Sequence, residues 1–152
     1  ALSGDGALAV TAAADRVVRT MTVGTGQFAQ QFPATAADVL TVTVSPDYQT
    51  VAAGTADGTF HLWGVDGKPR GTYPAHPGGV TGMILQFAGQ PTLTAGADGF
   101  VRVWPSPGVK GVIAPDAVAA AAGGASSLVL TGNAGGVTAM TLAPGKNQAV
   151  TA

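Results

Sequence analysis

Asp57 and Asp98 stand at the same place in two copies of one segment. Residues 51–63 read VAAGTADGTFHLW and residues 92–104 read TLTAGADGFVRVW, so the Asp-Gly pair and the closing Trp63 and Trp104 recur 41 residues apart (57 to 98, 63 to 104) without a gap. A third, worn copy at 9–21 reads AVTAAADRVVRTM, with Met21 in the Trp position. In each copy a small apolar run, an Asp turn and a second alternating run describe a hairpin. A period near 40 holding several such strands describes one antiparallel sheet made again and again. A sheet of this kind hides its two faces only by stacking on the next copy.

Composition agrees. All eight acidic residues are Asp and none is Glu. Asp favours turns and caps, whereas Glu favours helices, so the bias speaks against a helical protein. Four of the eight sit in Asp-Gly pairs at 5–6, 57–58, 66–67 and 98–99, the pair suited to tight hairpin turns. With 23 Gly and 10 Pro, the chain reads as short strands joined by tight turns. A net charge of -1 gives no electrostatic footprint for nucleic acid, and the scattered basic residues suggest no anionic membrane surface. Mean hydropathy is +0.32, yet no run approaches the roughly 18 apolar residues of a spanning helix, so no membrane insertion is expected. There is no Cys, which removes disulfides and thiolate metal sites and leaves the compartment open. No targeting leader stands out.

The strands expected in the middle copy are 39–44 (VLTVTV), 50–55, a third ending at Trp63 and an outer one near 70–75, with turns at Ser45-Pro46-Asp47, Asp57-Gly58 and Asp66-Gly67. The next copy supplies 80–87, 91–96, 100–104 and a shortened outer strand around 109–114. The first supplies ALS of an inner strand, then 7–12, 16–23 and 27–33. Beyond residue 115 two registers compete. Residues 114–133 read as an inner strand, a turn and a second strand, with a short helix over the Ala-rich run 118–122 as the alternative. Residues 128–152, however, align without gaps on 71–95, which makes 137–143 an inner strand and 148–152 its partner. Both hold together only if about one strand pair is absent near 133–135, and the expectation is a skipped or truncated segment there.

These lines resemble the WD-repeat (WD40) family, in a style similar to bacterial members. The residues that carry the likeness are Ser45-Pro46-Asp47, Ala56-Asp57-Gly58, Ala97-Asp98-Gly99, Trp63, Trp104, and Ala75-His76 in place of Gly-His. The Asp that follows the family's Trp is absent, since Gly64 and Pro105 stand there. The resemblance implies an all-β fold: a β-propeller segment of about three to four four-stranded blades (approximately 1–35, 36–76, 77–115 and a partial 116–152) forming an incomplete ring. It also implies a buried structural tetrad of His76, Thr94, Asp98 and Trp104, in which Asp98 caps its own turn and His76 pins the preceding loop. The second copy keeps Asp57 and Trp63 but has Ala53 and Thr35 at the hydroxyl and His positions. The first keeps Asp15 and Thr11 and lacks the Trp. Sheets with an incomplete network are expected to pack less rigidly.

The set His76, Asp98 and Thr94 also has the residue types of a catalytic triad, but each falls on its family position, and the structural role is the preferred one. His61, between Phe60 and Leu62, reads as a half-buried strand residue. The turn Asp residues read as caps rather than a metal site, and neither Gly24-Thr25-Gly26 nor Gly135-Gly136 opens a helix as a phosphate loop does. Lys68 and Arg70 read as a solvated rim. The resemblance implies a non-catalytic scaffold for protein–protein or domain–domain interaction, with no cofactor, and no paired carboxylates, nucleophile elbow or metal cluster in the sequence speaks against it. The expected partner is another protein, other domains of a longer chain, or a second copy completing the ring. The connections near 33–38, 74–79 and 114–117 are the surface expected to meet it. A carbohydrate- or small-molecule-binding propeller is the alternative; an exposed Trp63 or Trp104 facing a groove between blades would favour it.

Overall fold

A computed structural model of the protein describes residues 1–86, 91–104, 135–142 and 149–151. Among these, every regular element is a strand, and the strands are β1 (Leu8–Ala12), β2 (Val18–Thr22), β3 (Gln27–Gln31), β4 (Val39–Val44), β5 (Thr50–Thr55), β6 (Thr59–Gly64), β7 (Pro69–Pro74), β8 (Val80–Ile84), β9 (Thr92–Gly96), β10 (Val101–Trp104), β11 (Met140–Leu142) and β12 (Ala149–Thr151). They form antiparallel sheets in the orders β1-β2-β3, β4-β5-β6-β7 and β8-β9-β10, with β11-β12 as a further pair. Ala1–Ser3 extend the inner edge of the first sheet, through a Leu2–Ala9 bridge and the bonds Val10 N–H to Ala1 O (2.8 Å) and Ser3 N–H to Leu8 O (2.8 Å). The inner strands of consecutive sheets approach one another, β4 beside β8 and β8 beside β11, while β1 meets β4. This is the arrangement of propeller blades around a hub, here an open arc.

The apolar alternation of each hairpin becomes a series of seams between sheets. Val10, Val18, Phe32, Val44, Val51, Ala53 and Trp63 fill the first seam. Ala52, Phe60, Leu62, Val80, Met83, Leu85 and Trp104 fill the second. Leu93, Ala95, Val101 and Val137 fill the third. Val51 and Ala53 face one neighbour while Ala52 faces the other, the period-2 consequence of a strand buried on both sides. Trp63 pairs with Val51 and Trp104 with Thr92, equivalent positions of adjacent sheets, and each is 4% exposed. Each indole meets a ring from the sheet before it: Trp63 meets Phe32 at 5.4 Å, and Trp104 meets Phe60 at 5.0 Å and Tyr73 at 6.4 Å. Burying one such side chain removes about 150–250 Å² from water, which makes the indoles the largest single apolar contributions to their seams.

The C-terminal part settles one of the two competing registers. Met140 pairs with Thr151 as Met83 pairs with Thr94. The Val137 amide bonds to Gly96 O at 3.1 Å, seating this segment directly on the third sheet. The register of 71–95 therefore describes the pairing of 140–142 with 149–151, while the skipped or truncated segment expected near 133–135 falls at the edge of residues outside the described ones. The strands expected within 109–133, and the helix alternative over 118–122, lie outside the described residues.

One core position is chemically mismatched. Thr20 in β2 is fully buried, and its Oγ1 has no hydrogen-bond partner among the described residues. The equivalent position of the second sheet is Leu62. Replacing the hydroxyl by a methyl of the same shape removes an uncompensated desolvation cost. Thr20→Val is expected to raise stability by about 1 kcal/mol, read from the midpoint of urea unfolding. An unchanged or lower midpoint would show that the hydroxyl is satisfied.

Candidate functional site

Thr94 in β9 pairs directly with Arg102 in β10, two residues before Trp104 closes the strand. Around them the structure brings all four expected residues together. Trp104 Nε1–H donates to Thr94 Oγ1 at 2.8 Å, Thr94 Oγ1 lies 2.8 Å from His76 Nε2, and His76 Nδ1 lies 2.9 Å from Asp98 Oδ1. An indole can only donate and an ionised carboxylate only accept, so the hydroxyl accepts the indole N–H and Nδ1–H donates to Asp98. Burial favours the neutral imidazole, in which Nε2 accepts from the hydroxyl. Asp98 Oδ1 also accepts the Phe100 amide at 3.2 Å, capping its own turn. The imidazole is wholly enclosed, and the Asp98 side chain is 12% exposed.

His76 comes from the connection between β7 and β8, which is held from the preceding sheet as well. The Ala75 and His76 amides both donate to Gly58 O, at 2.8 and 3.0 Å. Gly58 has φ +87°, and a methyl there would overlap the His76 carbonyl. A methyl at Gly96 would overlap the imidazole itself. The other two copies carry Thr55 and Ala13 at the Gly96 position, so only the third has room for a His. Sequence reasoning missed Gly96, although its contrast with Thr55 and Ala13 was a readable signal. It also missed Arg102, which donates from Nη1 to Asp98 Oδ2 at 2.6 Å and lies against His76 Nδ1.

The other copies use their polar residues differently. In the second, Asp57 Oδ1 accepts from Thr55 Oγ1 at 2.6 Å and from the Thr59 amide at 3.1 Å. Thr35 donates to Ala37 O at 2.8 Å, and Ala53 lies opposite His61. His61 is half-buried and stacked on Trp63, with ring centroids 5.5 Å apart and planes within 8°; its Nδ1 is 3.1 Å from Thr72 Oγ1. In the first, Asp15 pairs with Arg19 at 2.7 Å, while Thr11 Oγ1 reaches Arg19 O at 3.5 Å. Lys68 is an exposed ion-pair partner of Asp66 at 2.9 Å, but Arg70 reaches inward to Thr50 Oγ1 at 2.7 Å and is more than a solvated rim.

Burial pushes the His76 imidazole below its ordinary range, against the opposing pull of the Asp98 hydrogen bond. For Asp98, burial pushes the carboxyl up, but the hydrogen bonds from Arg102, His76 and the Phe100 amide together outweigh it and leave the group below the usual carboxylate range. A buried neutral His held by an ionised Asp resembles a catalytic pair in chemistry. Here the hydroxyl it faces is fully buried and already accepts the indole N–H, so no reacting atom can approach. These hydrogen bonds link the connection to two strands, and we propose that the set acts as a strut between them. Among the described residues no cluster of three or more His, Cys, Asp or Glu could hold a metal ion.

The family model for WD domain, G-beta repeat matches residues 26–64 and 67–105, just over half of the chain. The chain belongs to the WD-repeat family. Telomerase protein component 1 of Rattus norvegicus is 39% identical to it over 67 residues, which is 43% of this chain and 2% of that protein. The WD-repeat arc superposes on a chain of the mitotic checkpoint complex with a TM-score of 0.74 and 18% identity, over 99% of this chain and 44% of that one. It superposes on the RRP9 WD40 repeats with a TM-score of 0.67 and 18% identity, over 90% of this chain and 39% of theirs. The chain thus spans a small fraction of the curated relative and less than half of these solved structures. At such identities the structural likeness speaks to the fold alone.

Two outcomes test the strut. Thr94→Val keeps the shape but leaves Trp104 N–H and His76 Nε2 unpaired, so it is expected to cost about 1–3 kcal/mol in urea unfolding, the reverse sign of the same exchange at Thr20. A neutral effect would contradict the relay. The lowered His76 pKa means that the unfolded chain binds more protons between that value and the ordinary 6.5. Stability is therefore complete above about pH 6.5 and falls as acid is added through this window. Burial also lowers His61, so the measurement is made in a His61→Asn background, where the remaining slope belongs to His76. A flat profile between about pH 7.5 and 5 would contradict it.

Proposed function

We propose that this WD-repeat segment is a non-catalytic scaffold that docks other proteins, or other domains of a longer chain, through the face carrying the sheet-to-sheet connections. The observation that carries the reading is the use of the chain's polar chemistry. His76, Thr94 and Asp98 are consumed inside the fold, while the connection face presents small and apolar groups around the exposed Arg16–Asp38 pair. On it Ala36, Ala56, Pro77 and Ala97 are exposed, together with Leu40 at 50% and Phe100 at 38%. Exposed apolar groups beside small residues suit close approach by another protein surface. Both indoles lie buried inside seams, so neither offers the aromatic platform a sugar site would use.

Among the described residues, three sheets and a further strand pair form an arc that does not close. The ring is proposed to be completed by the rest of a longer polypeptide or by a second copy. For the isolated chain, light scattering is expected to give a mass above 14.8 kDa. A well-folded species at that single-chain mass would contradict closure between copies.

The docking face itself is tested by crosslinking mass spectrometry against its bound proteins. Leu40→Asp combined with Ala97→Arg is expected to abolish the crosslinks, whereas Lys68→Ala on the opposite end of the sheets leaves them unchanged. Loss with Lys68→Ala alone would move the docking surface to the other face.

A further inference from the structure

The seams on either side of the second sheet are built from equivalent positions but closed by different chemistry. The second seam has Leu62 in its core and the fully hydrogen-bonded strut of Trp104, Thr94, His76 and Asp98 at its connection end. The first seam has the unpartnered Thr20 hydroxyl where Leu62 would be, Ala53 where Thr94 would be, and Thr35 where His76 would be. It therefore carries a buried polar cost and lacks the strut that rigidifies its neighbour.

A single side chain takes the place of that strut. Arg16 occupies the turn position that is Gly58 and Gly99 in the other copies, and it adopts φ +61°, a conformation L-residues rarely take. From there Nε donates to Asp38 Oδ1 at 2.8 Å and Nη1 to Ala36 O at 3.0 Å, while its own carbonyl accepts the Thr35 amide at 3.0 Å. All three reach the connection that leads into β4. The Arg16 and Asp38 side chains are 49% and 70% exposed, against 0% and 12% for His76 and Asp98. An exposed pair is weakened by salt and an enclosed one much less. A non-glycine residue in such a backbone conformation persists only where the surroundings hold it, and here the holding contacts are those of the connection.

We propose that the seam between the first and second sheets is an opening joint latched by Arg16, through which the Trp63 face of the second sheet becomes transiently accessible while the second seam stays shut. The two Trp residues report on the two seams separately, and both are 4% exposed in the closed state. Acrylamide quenching is measured for Trp63 in a Trp104→Phe chain and for Trp104 in a Trp63→Phe chain, at a pH where both His are neutral. Trp63 is expected to be quenched several-fold faster, with the difference growing as sodium chloride is added. Arg16→Gln is expected to raise Trp63 quenching further and Thr20→Val to lower it, with Trp104 unmoved by either. Equal quenching of the two indoles, no response to salt, or variants that shift Trp104 as much as Trp63 would overturn the joint. Should a Trp variant fail to fold, hydrogen exchange of the unaltered chain decides. Faster, salt-accelerated exchange in β1–β3 than in β9–β10 supports the joint, and matching rates refute it.

Discussion

The rest of the structure depends on the covering of each sheet's two apolar faces by its neighbours. A strand such as β5, buried along its whole length, has no polar side to offer water. It is stable only between two other sheets, and this requirement repeats at each seam. Trp63 and Trp104 are the largest expression of it, each closing a strand and lying against rings of the sheet before. The low charge of the chain, 10% of residues, has the same origin, because little of each sheet is free to carry it.

Where the seams reach the connection face, apolar packing gives way to hydrogen bonding, and the copies diverge. The third sheet can enclose an imidazole because Gly96 leaves room for it, and because Asp98, Thr94 and Trp104 satisfy its two nitrogens and the hydroxyl between them. Enclosed polar groups are stabilising only when all are satisfied. Once Thr55 fills the space in the second copy, the imidazole, its hydroxyl partner and the glycine are all absent together. The His found there, His61, lies on the strand itself and stacks on Trp63 instead. One glycine thus separates a seam tied by an internal strut from one tied by an exposed Arg16–Asp38 pair.

Much of this was legible in the residues. The Asp-Gly turns, the Trp spacing and the alternating runs placed the strands of the first three sheets, because those features act locally and recur. The tetrad was legible through the resemblance of His76, Thr94, Asp98 and Trp104 to a known pattern. Arg102 was not, since its role comes from lying across the strands from Thr94 and reaching a carboxylate four residues back. Arg16 escaped for a different reason: a basic residue in a glycine's place reads as wear in a repeat, and only its backbone angle and three long-range bonds reveal a clamp. At the C-terminal end two alignments were equally good on paper. Docking of Val137 on Gly96, a contact between distant residues, supports the register of 71–95 there, while the reading of 114–133 lies outside the described residues.

The most direct measurement of the central claim is a map of proton–proton contacts from each indole in a nuclear Overhauser spectrum of the whole chain. If sheets stack in order around a hub, the Trp63 ring contacts Phe32 and Val10 and misses Phe60. The Trp104 ring then contacts Phe60 and Tyr73 and misses Phe32. Both indoles contacting one shared set of rings, or neither contacting the sheet before it, would contradict the stacked arrangement.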